Sequence, residues 1–158
     1  MTVTTVGDFM ERDLTVVMEY STINEAIDIF YHHHVVGLPV VNADWKLVGF
    51  LGETDILRAA TPSYLEVLTQ STFLSGEEQE FVRQMKDLGR RAVRDYMTKS
   101  PMFVEPYMSL MSVADLMIRK NFSRLPVVED GVLVGIIDRR ALWNFMIEWH
   151  YSDNGDGD

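Results

Sequence analysis

Hydrophobic and polar positions along this chain change period from about two to about 3.6 and back, and they do so twice. Leu14-Thr15-Val16-Val17 is a short β-prone run. Ser21 to Glu25 then opens a helix, because Thr22 followed three residues later by Glu25 is a capping-box pattern. Ile23, Ala26, Ile27 and Phe30 recur at helical spacing and give that helix one apolar face. Gly37 punctuates the chain. Leu38-Pro39-Val40-Val41 is a strand beginning at a proline, where the missing N–H does little harm. Asn42-Ala43-Asp44 turns the chain into a second strand, Leu47 to Leu51, and the two predict a hairpin. Thr54 to Ala60 reads as a closing helix that stops before Pro62.

The whole succession then returns. A shift of 87 aligns Val6 with Val93, Asp8 with Asp95, Met10 with Met97, Val17 with Val104, Tyr20 with Tyr107, Asp28 with Asp115, and Leu38-Pro39-Val40-Val41 with Leu125-Pro126-Val127-Val128. A shift of 86 then aligns Leu47-Val48-Gly49 with Leu133-Val134-Gly135. Such a repeat means that each copy predicts the shape of the other. In the second copy the opening strand is Phe103-Val104 and the first helix runs from Ser109 to Asn121, with Leu110, Val113, Ala114 and Met117 inward. Pro126-Val127-Val128 and Val132 to Ile137 flank the turn Glu129-Asp130-Gly131, and a final helix runs from about Arg139 to Trp149. The unit is strand–helix–strand–strand–helix, an α+β module of marginal size for independent stability. Two copies are expected to pack with approximate two-fold symmetry.

These periods divide the chain into a first unit (1–60), a helical insert or linker (61–92), a second unit (93–150) and an acidic, disordered tail (151–158). In the insert, Ser75-Gly76-Glu77-Glu78 is a capped start and Phe81, Val82, Met85 and Leu88 form one apolar face; Tyr64, Leu65, Val67 and Leu68 fit a shorter helix. The insert is read either as a linker helix laid against the module or as a contact element for a partner. The tail lacks the alternating acids and distal glutamate of a calcium loop.

Composition narrows the function. At 158 residues and 47% hydrophobic content the chain can bury a real core. No apolar run nears the ~18–20 residues that cross a bilayer, and Met-Thr-Val-Thr-Thr lacks a signal layout. The absence of cysteine excludes disulfides and thiolate metal sites and favours the cytoplasm. A formal charge of −10 argues against nucleic acid or an anionic membrane as partner. Any polyanionic ligand therefore needs a local positive cluster among the 14 Lys and Arg.

The order of elements, the Leu-Pro-Val-Val strand and the glycine-hydrophobic-hydrophobic strand leading into a helix together resemble the cystathionine-β-synthase (CBS) domain, and two in tandem resemble a CBS pair, or Bateman module. Val6-Gly7-Asp8-Phe9-Met10 and Val93-Arg94-Asp95-Tyr96-Met97-Thr98 resemble the family's lead-in motif. The resemblance implies a small mixed sheet per unit, a disc-like dimer of modules, and adenosine-nucleotide binding in the cleft between the units. It also implies a sensor rather than a catalyst.

The family's nucleotide motif is a glycine, two hydrophobic residues, a Ser or Thr, two variable residues and an Asp. An Asp carboxylate there can accept two ribose hydroxyls, and a hydroxyl with nearby N–H groups can donate to phosphate. The first copy reads Gly49-Phe50-Leu51-Gly52-Glu53-Thr54-Asp55, with the Asp present, Gly52 in place of the hydroxyl and Thr54 close by. The second reads Gly135-Ile136-Ile137-Asp138-Arg139-Arg140-Ala141, where Ala141 replaces the ribose acid and Asp138 opposes a phosphate. Like charges a few Å apart cost on the order of 1 kcal/mol or more, so the second motif is read as degenerate. Just before the Pro-Val-Val strand the family places phosphate-reaching residues. Ser123 and Arg124 fill that role in the second copy, while Val36 and Gly37 offer no charge in the first. The expected ligand-binding set is Asp55, Thr54, Gly52, Arg124, Ser123, Val16 and Pro39, and the degenerate site holds Asp138, Ala141 and Gly37. One asymmetric site is expected, with Asp55 on ribose and Arg124 on phosphate.

Other constellations add little. His32, His33 and His34 are successive and point about 100° apart on a helix, so they do not converge on one ion. Met102, Met108, Met111 and Met117 fall in or next to the second copy's strand and helix and read as core filling. Trp143, Phe145, Met146 and Trp149 make the last helix apolar on more than one side, which leaves a face for self-association. No nucleophile elbow, P-loop or dinucleotide turn is present. The expectation is a non-enzymatic regulatory module. It needs no cofactor, and AMP, ADP, ATP or S-adenosylmethionine is its candidate ligand. A homodimer and a further protein partner are expected, and the alternative is a dimeric scaffold that has lost nucleotide binding.

Overall fold

In the computed structural model, which describes residues 3–61 and 77–155, the first inner helix starts at the capping box that the sequence predicts. Thr22 Oγ1 accepts from the Glu25 N–H at 3.2 Å and the Glu25 carboxylate accepts from the Thr22 N–H at 3.2 Å. The helix ends at His34 in the left-handed region, φ 51°. Its repeat starts at Ser109, whose hydroxyl accepts from the Ser112 N–H, and ends at left-handed Asn121, φ 57°. The elements in chain order are α1 (Val6–Phe9), β1 (Val17–Met18), α2 (Ile23–His33), β2 (Gly37–Val41), β3 (Leu47–Gly52), α3 (Glu53–Ala60), α4 (Glu77–Gly89), a 3-10 turn (Val93–Asp95), β4 (Thr98–Lys99), α5 (Leu110–Lys120), β5 (Arg124–Glu129), β6 (Val132–Asp138) and α6 (Arg139–Gly155).

One sheet has the order β1-β2-β3-β4, with β1 parallel to β2 (Val17 opposite Val40) and β3 antiparallel to β4 (Phe50 opposite Thr98). The other is the β5-β6 hairpin, with a register shift between Val127 and Val128. Its flanks follow the same plan reduced to single bridges. Val104 lies parallel to Val127, where Val17 meets Val40 in the first copy. Glu11 lies antiparallel to Ile136, where Thr98 meets Phe50.

Four local features differ from the sequence expectation. The run Leu14 to Val17 gives a strand only at Val17–Met18. Phe103-Val104 supplies one bridge instead of a strand, because Phe103 is exposed and only Val104 points inward. Thr98–Lys99 forms a strand that its polar, exposed residues do not announce. The last helix runs six residues past Trp149, through Ser152 to Gly155, where a disordered tail is expected; an established helix propagates at low cost per residue. In the insert, α4 covers the stretch predicted from Glu77 onward, while the shorter helix placed at Tyr64 to Leu68 lies outside the described residues, as do residues 156–158.

The compact units do not follow the repeat boundaries. One contains Thr15–Asp44 and Val48–Pro101; the other contains the described residues of Met1–Leu14, Trp45–Leu47 and Met102–Asp158. Each lead-in segment is therefore packed with the opposite copy. Val6 N–H donates to Met108 O at 2.9 Å and Gly7 N–H to Pro106 O at 2.9 Å. Their repeats, Val93 and Arg94, donate to Ser21 O at 2.8 Å and Glu19 O at 3.0 Å. The first-copy core gathers Val17, Ile23, Ala26, Leu38, Val40, Leu51, Ile56 and Ala60 with Leu88 and Val93. The second-copy core gathers Val104, Leu110, Val113, Met117, Leu125, Val127, Ile137 and Ala141 with Val6.

Candidate functional site

The start of α3 carries the first-copy motif. β3 ends at Gly52, and its N–H donates to Asp55 Oδ2 at 2.8 Å, so the acid three residues into the helix closes its own N-terminus. The Glu53 N–H donates to Val36 O at 3.0 Å, which fixes the turn before β2 against the helix start. A Cβ built at Gly52 would lie 3.5 Å from Thr54 Oγ1, 3.5 Å from Asp55 Oδ2 and 3.9 Å from Val36 O. Thr54, Asp55, Gly52 and the Val36 carbonyl thus come together within one unit, with ordinary space for a larger side chain at Gly52. Thr54 is exposed and Asp55 half-buried. The Val36 carbonyl is a polar atom of this cluster that side-chain reasoning passes over, since backbone acceptors leave no mark in residue type.

Gly37 and Pro39 are buried in β2, and Val16 is half-buried just before β1. A methyl at Gly37 would stand 2.6 Å from the Phe50 ring, so this glycine makes room for an aromatic side chain of β3. The sequence marks Gly37 only as an uncharged counterpart of Arg124; its packing role is added by the structure.

The second copy repeats the backbone and inverts the chemistry. Arg139 N–H donates to Ser123 O at 3.3 Å, matching Glu53 and Val36. Here the acid has moved from the third helical position to the cap: Asp138 Oδ1 accepts the Ala141 N–H at 3.1 Å. Asp55 and Asp138 therefore satisfy the same need, an anionic acceptor at a helix start, from opposite ends of the same short turn. Arg139 spans the preceding turn, donating from Nε to Phe122 O at 3.1 Å and from Nη2 to Asn121 Oδ1 at 3.2 Å. Ser123 is exposed, Arg124 half-buried with its Nε closed off from solvent, and Ala141 buried in the core. Asp55, Thr54, Gly52, Val16, Pro39 and Gly37 belong to one compact unit, and Ser123, Arg124, Asp138 and Ala141 to the other.

The glycine that opens each motif has a further partner. A Cβ at Gly49 would meet Met97 Sδ and, at 2.8 Å, Met97 Cγ; one at Gly135 would meet Met10 Sδ at 2.6 Å. The methionine of each lead-in motif thus rests on the motif glycine of the other copy, which ties the two most recognisable sequence signals into one packing arrangement. His32 and His33 lie in the last turn of α2 and His34 is its left-handed cap, all exposed. Among the described residues no group of three or more His, Cys, Asp or Glu is placed to hold a metal, and no helix is long and apolar enough to cross a membrane.

The pattern of two matching units, each with this lead-in and motif, agrees with comparison to known proteins. Residues 6–61 and 93–142 both match the CBS domain. The chain belongs to the CBS-domain family. As a CBS pair it is 36% identical over 143 residues to the chloroplastic CBS domain-containing protein CBSX1 of Arabidopsis thaliana, covering 85% of this chain and 61% of that protein. It thus spans about three-fifths of that relative's length. A protein of Methanocaldococcus jannaschii is 32% identical over 153 residues, with 90% of each chain covered. Among solved structures, CBSX2 in complex with AMP superposes with a TM-score of 0.71 at 30% identity, covering 92% of this chain and 98% of that one. The CBS pair fold, α+β with a helical insert between its repeats, is therefore the fold of this protein.

Proposed function

We propose that this CBS pair is a non-catalytic cytoplasmic sensor that binds one adenosine nucleotide, AMP foremost, and reports occupancy to a partner protein. The carrying observation is the cluster at the start of α3, where the half-buried Asp55 carboxylate stands beside Thr54 Oγ1, the Gly52 backbone and the Val36 carbonyl. Its repeat has Ala141 in place of the acid, so the ribose role falls to one copy alone. Asp55 keeps one oxygen on the Gly52 N–H and offers the other to a ribose hydroxyl. Val16 and Pro39, in the same compact unit, are the proposed apolar contacts. The solved AMP complex of CBSX2 supports the ligand class. Signalling follows from differential affinity for two arrangements of the chain.

Thermal melts with AMP, ADP, ATP, S-adenosylmethionine and NAD test this reading. A ligand at about 100 times its Kd adds about 2.7 kcal/mol to native stability, or about 5–10 °C in a chain of this size. A rise with AMP that Asp55→Ala abolishes is the expected result. One observation favours a second reading, a dimeric scaffold without a ligand: Asp55 and Asp138 both already serve as helix-start acceptors. No rise with any of the five compounds overturns the sensor reading.

A further inference from the structure

Of the ten methionines, the repeat matches one pair, Met10 and Met97. Each closes the same single turn. Met10 N–H donates to Val6 O at 2.8 Å and Met97 N–H to Val93 O at 3.0 Å. In both turns the valine is 0% exposed and the methionine half-buried. The residues after each methionine pair onto a motif strand: Thr98 opposite Phe50 and Lys99 opposite Gly49 in one compact unit, Glu11 opposite Ile136 in the other. The methionine is thus the joint between an anchored valine and a paired edge.

Its thioether takes the place that a side chain would occupy on the motif glycine. A Cβ at Gly49 would meet Met97 Sδ, with Cγ at 2.8 Å and Cε at 3.0 Å. One at Gly135 would lie 2.6 Å from Met10 Sδ, 3.0 Å from its Cγ and 2.9 Å from Glu11 O. Sulfur is packed against strand backbone in both copies, so an added oxygen has no place on that side. Sulfoxidation also makes an apolar side chain polar. The N–H groups of Met10 and Met97 are already on Val6 O and Val93 O, and those of Glu11 and Ile136 on each other's carbonyls at 2.8 and 2.9 Å. A sulfoxide oxygen held there without a donor carries the cost of any unsatisfied acceptor. Other methionines stand differently. Met117 is 0% exposed, out of reach of an oxidant, whereas Met18, Met102, Met111 and Met146 are 39–62% exposed and keep a sulfoxide in water.

We propose that Met10 and Met97 are a paired, reversible oxidation site, at which a hydroperoxide converts each thioether to the sulfoxide and the lead-in segment then releases the motif strand. The sulfur lone pair takes the terminal peroxide oxygen, the O–O bond breaks, and the proton moves to the departing oxygen, which leaves as water or an alcohol. Sulfur loses two electrons and the peroxide gains them; a thiol-dependent sulfoxide reductase reverses the step. The site does not depend on nucleotide binding.

The test treats the ligand-free full chain with hydrogen peroxide and follows it by peptide mass mapping and thermal melts on the same samples. Oxygen is expected on Met10 and Met97 while Met117 stays reduced. With it the melting temperature is expected to fall by about 5–10 °C, and methionine sulfoxide reductases A and B to restore it. The double variant Met10→Leu, Met97→Leu keeps the apolar volume without the sulfur. It is expected to oxidise at Met18, Met102, Met111 and Met146 and still melt within about 2 °C of its untreated form. Hydrogen exchange on oxidised wild type, which needs no variant, is expected to show protection lost in peptides covering 47–52 and 132–138. The proposal is overturned by a double variant that falls as far as wild type, or by a wild type that carries both sulfoxides and melts unchanged. A fall without either sulfoxide, a fall that the reductases do not repair, or protection lost only elsewhere overturns it equally.

Discussion

Two glycines that look equivalent in the repeat are unequal in what surrounds them. At Gly135 an added methyl would lie 2.6 Å from Met10 Sδ and 2.9 Å from the Glu11 carbonyl oxygen. The thioether can swing aside, but the carbonyl is held by the Ile136 N–H at 2.9 Å. At Gly49 the three nearest atoms all belong to the flexible Met97 side chain. Gly135→Ala is therefore expected to cost about 2–3 kcal/mol and Gly49→Ala about 1 kcal/mol, read from urea midpoints at constant slope. The paired acids separate in the same way. Asp138→Ala removes the acceptor of the Ala141 N–H, with an expected loss of about 1 kcal/mol and no change in AMP affinity by calorimetry. Asp55→Ala carries a similar loss and abolishes AMP binding. Asp55→Asn, which keeps one acceptor oxygen for Gly52, is expected to melt near wild type while still binding AMP more weakly. The motif marks Asp55 and Asp138 as acids where a strand leads into a helix. That each caps its helix from a different position was not legible there, because capping depends on which N–H is turned toward the carboxylate.

Helices were read well from the sequence and short strands poorly, for a physical reason. Thr22, Ser109, His34 and Asn121 bracket α2 and α5 with local hydrogen bonds or a left-handed turn, and such signals lie within four residues of their partners. Thr98 gains strand character only from a distant residue, Phe50, so nothing in its own neighbourhood marks it. The insert falls between these cases. Its apolar face was visible as a periodicity at Phe81, Val82, Met85 and Leu88, of which Val82 proves exposed, but not whether that face meets the chain itself or a partner. The structure lays it on α2 and α3, where Leu88 is 4% exposed. Leu88→Ala is accordingly expected to lower stability by about 2–4 kcal/mol. Val82→Ala, one face away and exposed, is expected to stay within about 0.5 kcal/mol. Equal effects at the two positions would mean that α4 is not docked as described.

Across the whole chain, the exchange of lead-in segments was invisible to the repeat. Identity at a shift of 87 is the same whether Val6 packs with its own copy or with the other, so sequence boundaries alone assign 1–60 to one unit. The hydrogen bonds decide otherwise: Val6 to Met108 and Leu110 to Thr4 in one unit, Val93 to Ser21 and Ile23 to Arg91 in the other. Val6 and Val93 are both fully buried, the first beside Leu110, Leu125 and Ile137, the second beside Ile23, Leu38 and Leu51. This crossing makes a prediction that runs against chain order. Val6→Ala, in the first repeat, is expected to loosen the second-copy hairpin of β5 and β6. Val93→Ala, in the second repeat, is expected to loosen β2 and β3. The cavity left by two methyl groups costs about 1–3 kcal/mol, and each ~1.4 kcal/mol speeds exchange from an open state about tenfold. Hydrogen exchange read by mass spectrometry on peptides covering 37–52 and 124–138 separates the outcomes. Protection lost in the same repeat as the substitution would show that the lead-in segments are not exchanged in solution. Protection lost in the opposite repeat would establish that each CBS unit is completed by the other copy's lead-in, so that neither repeat cut out at its sequence boundaries retains a full core.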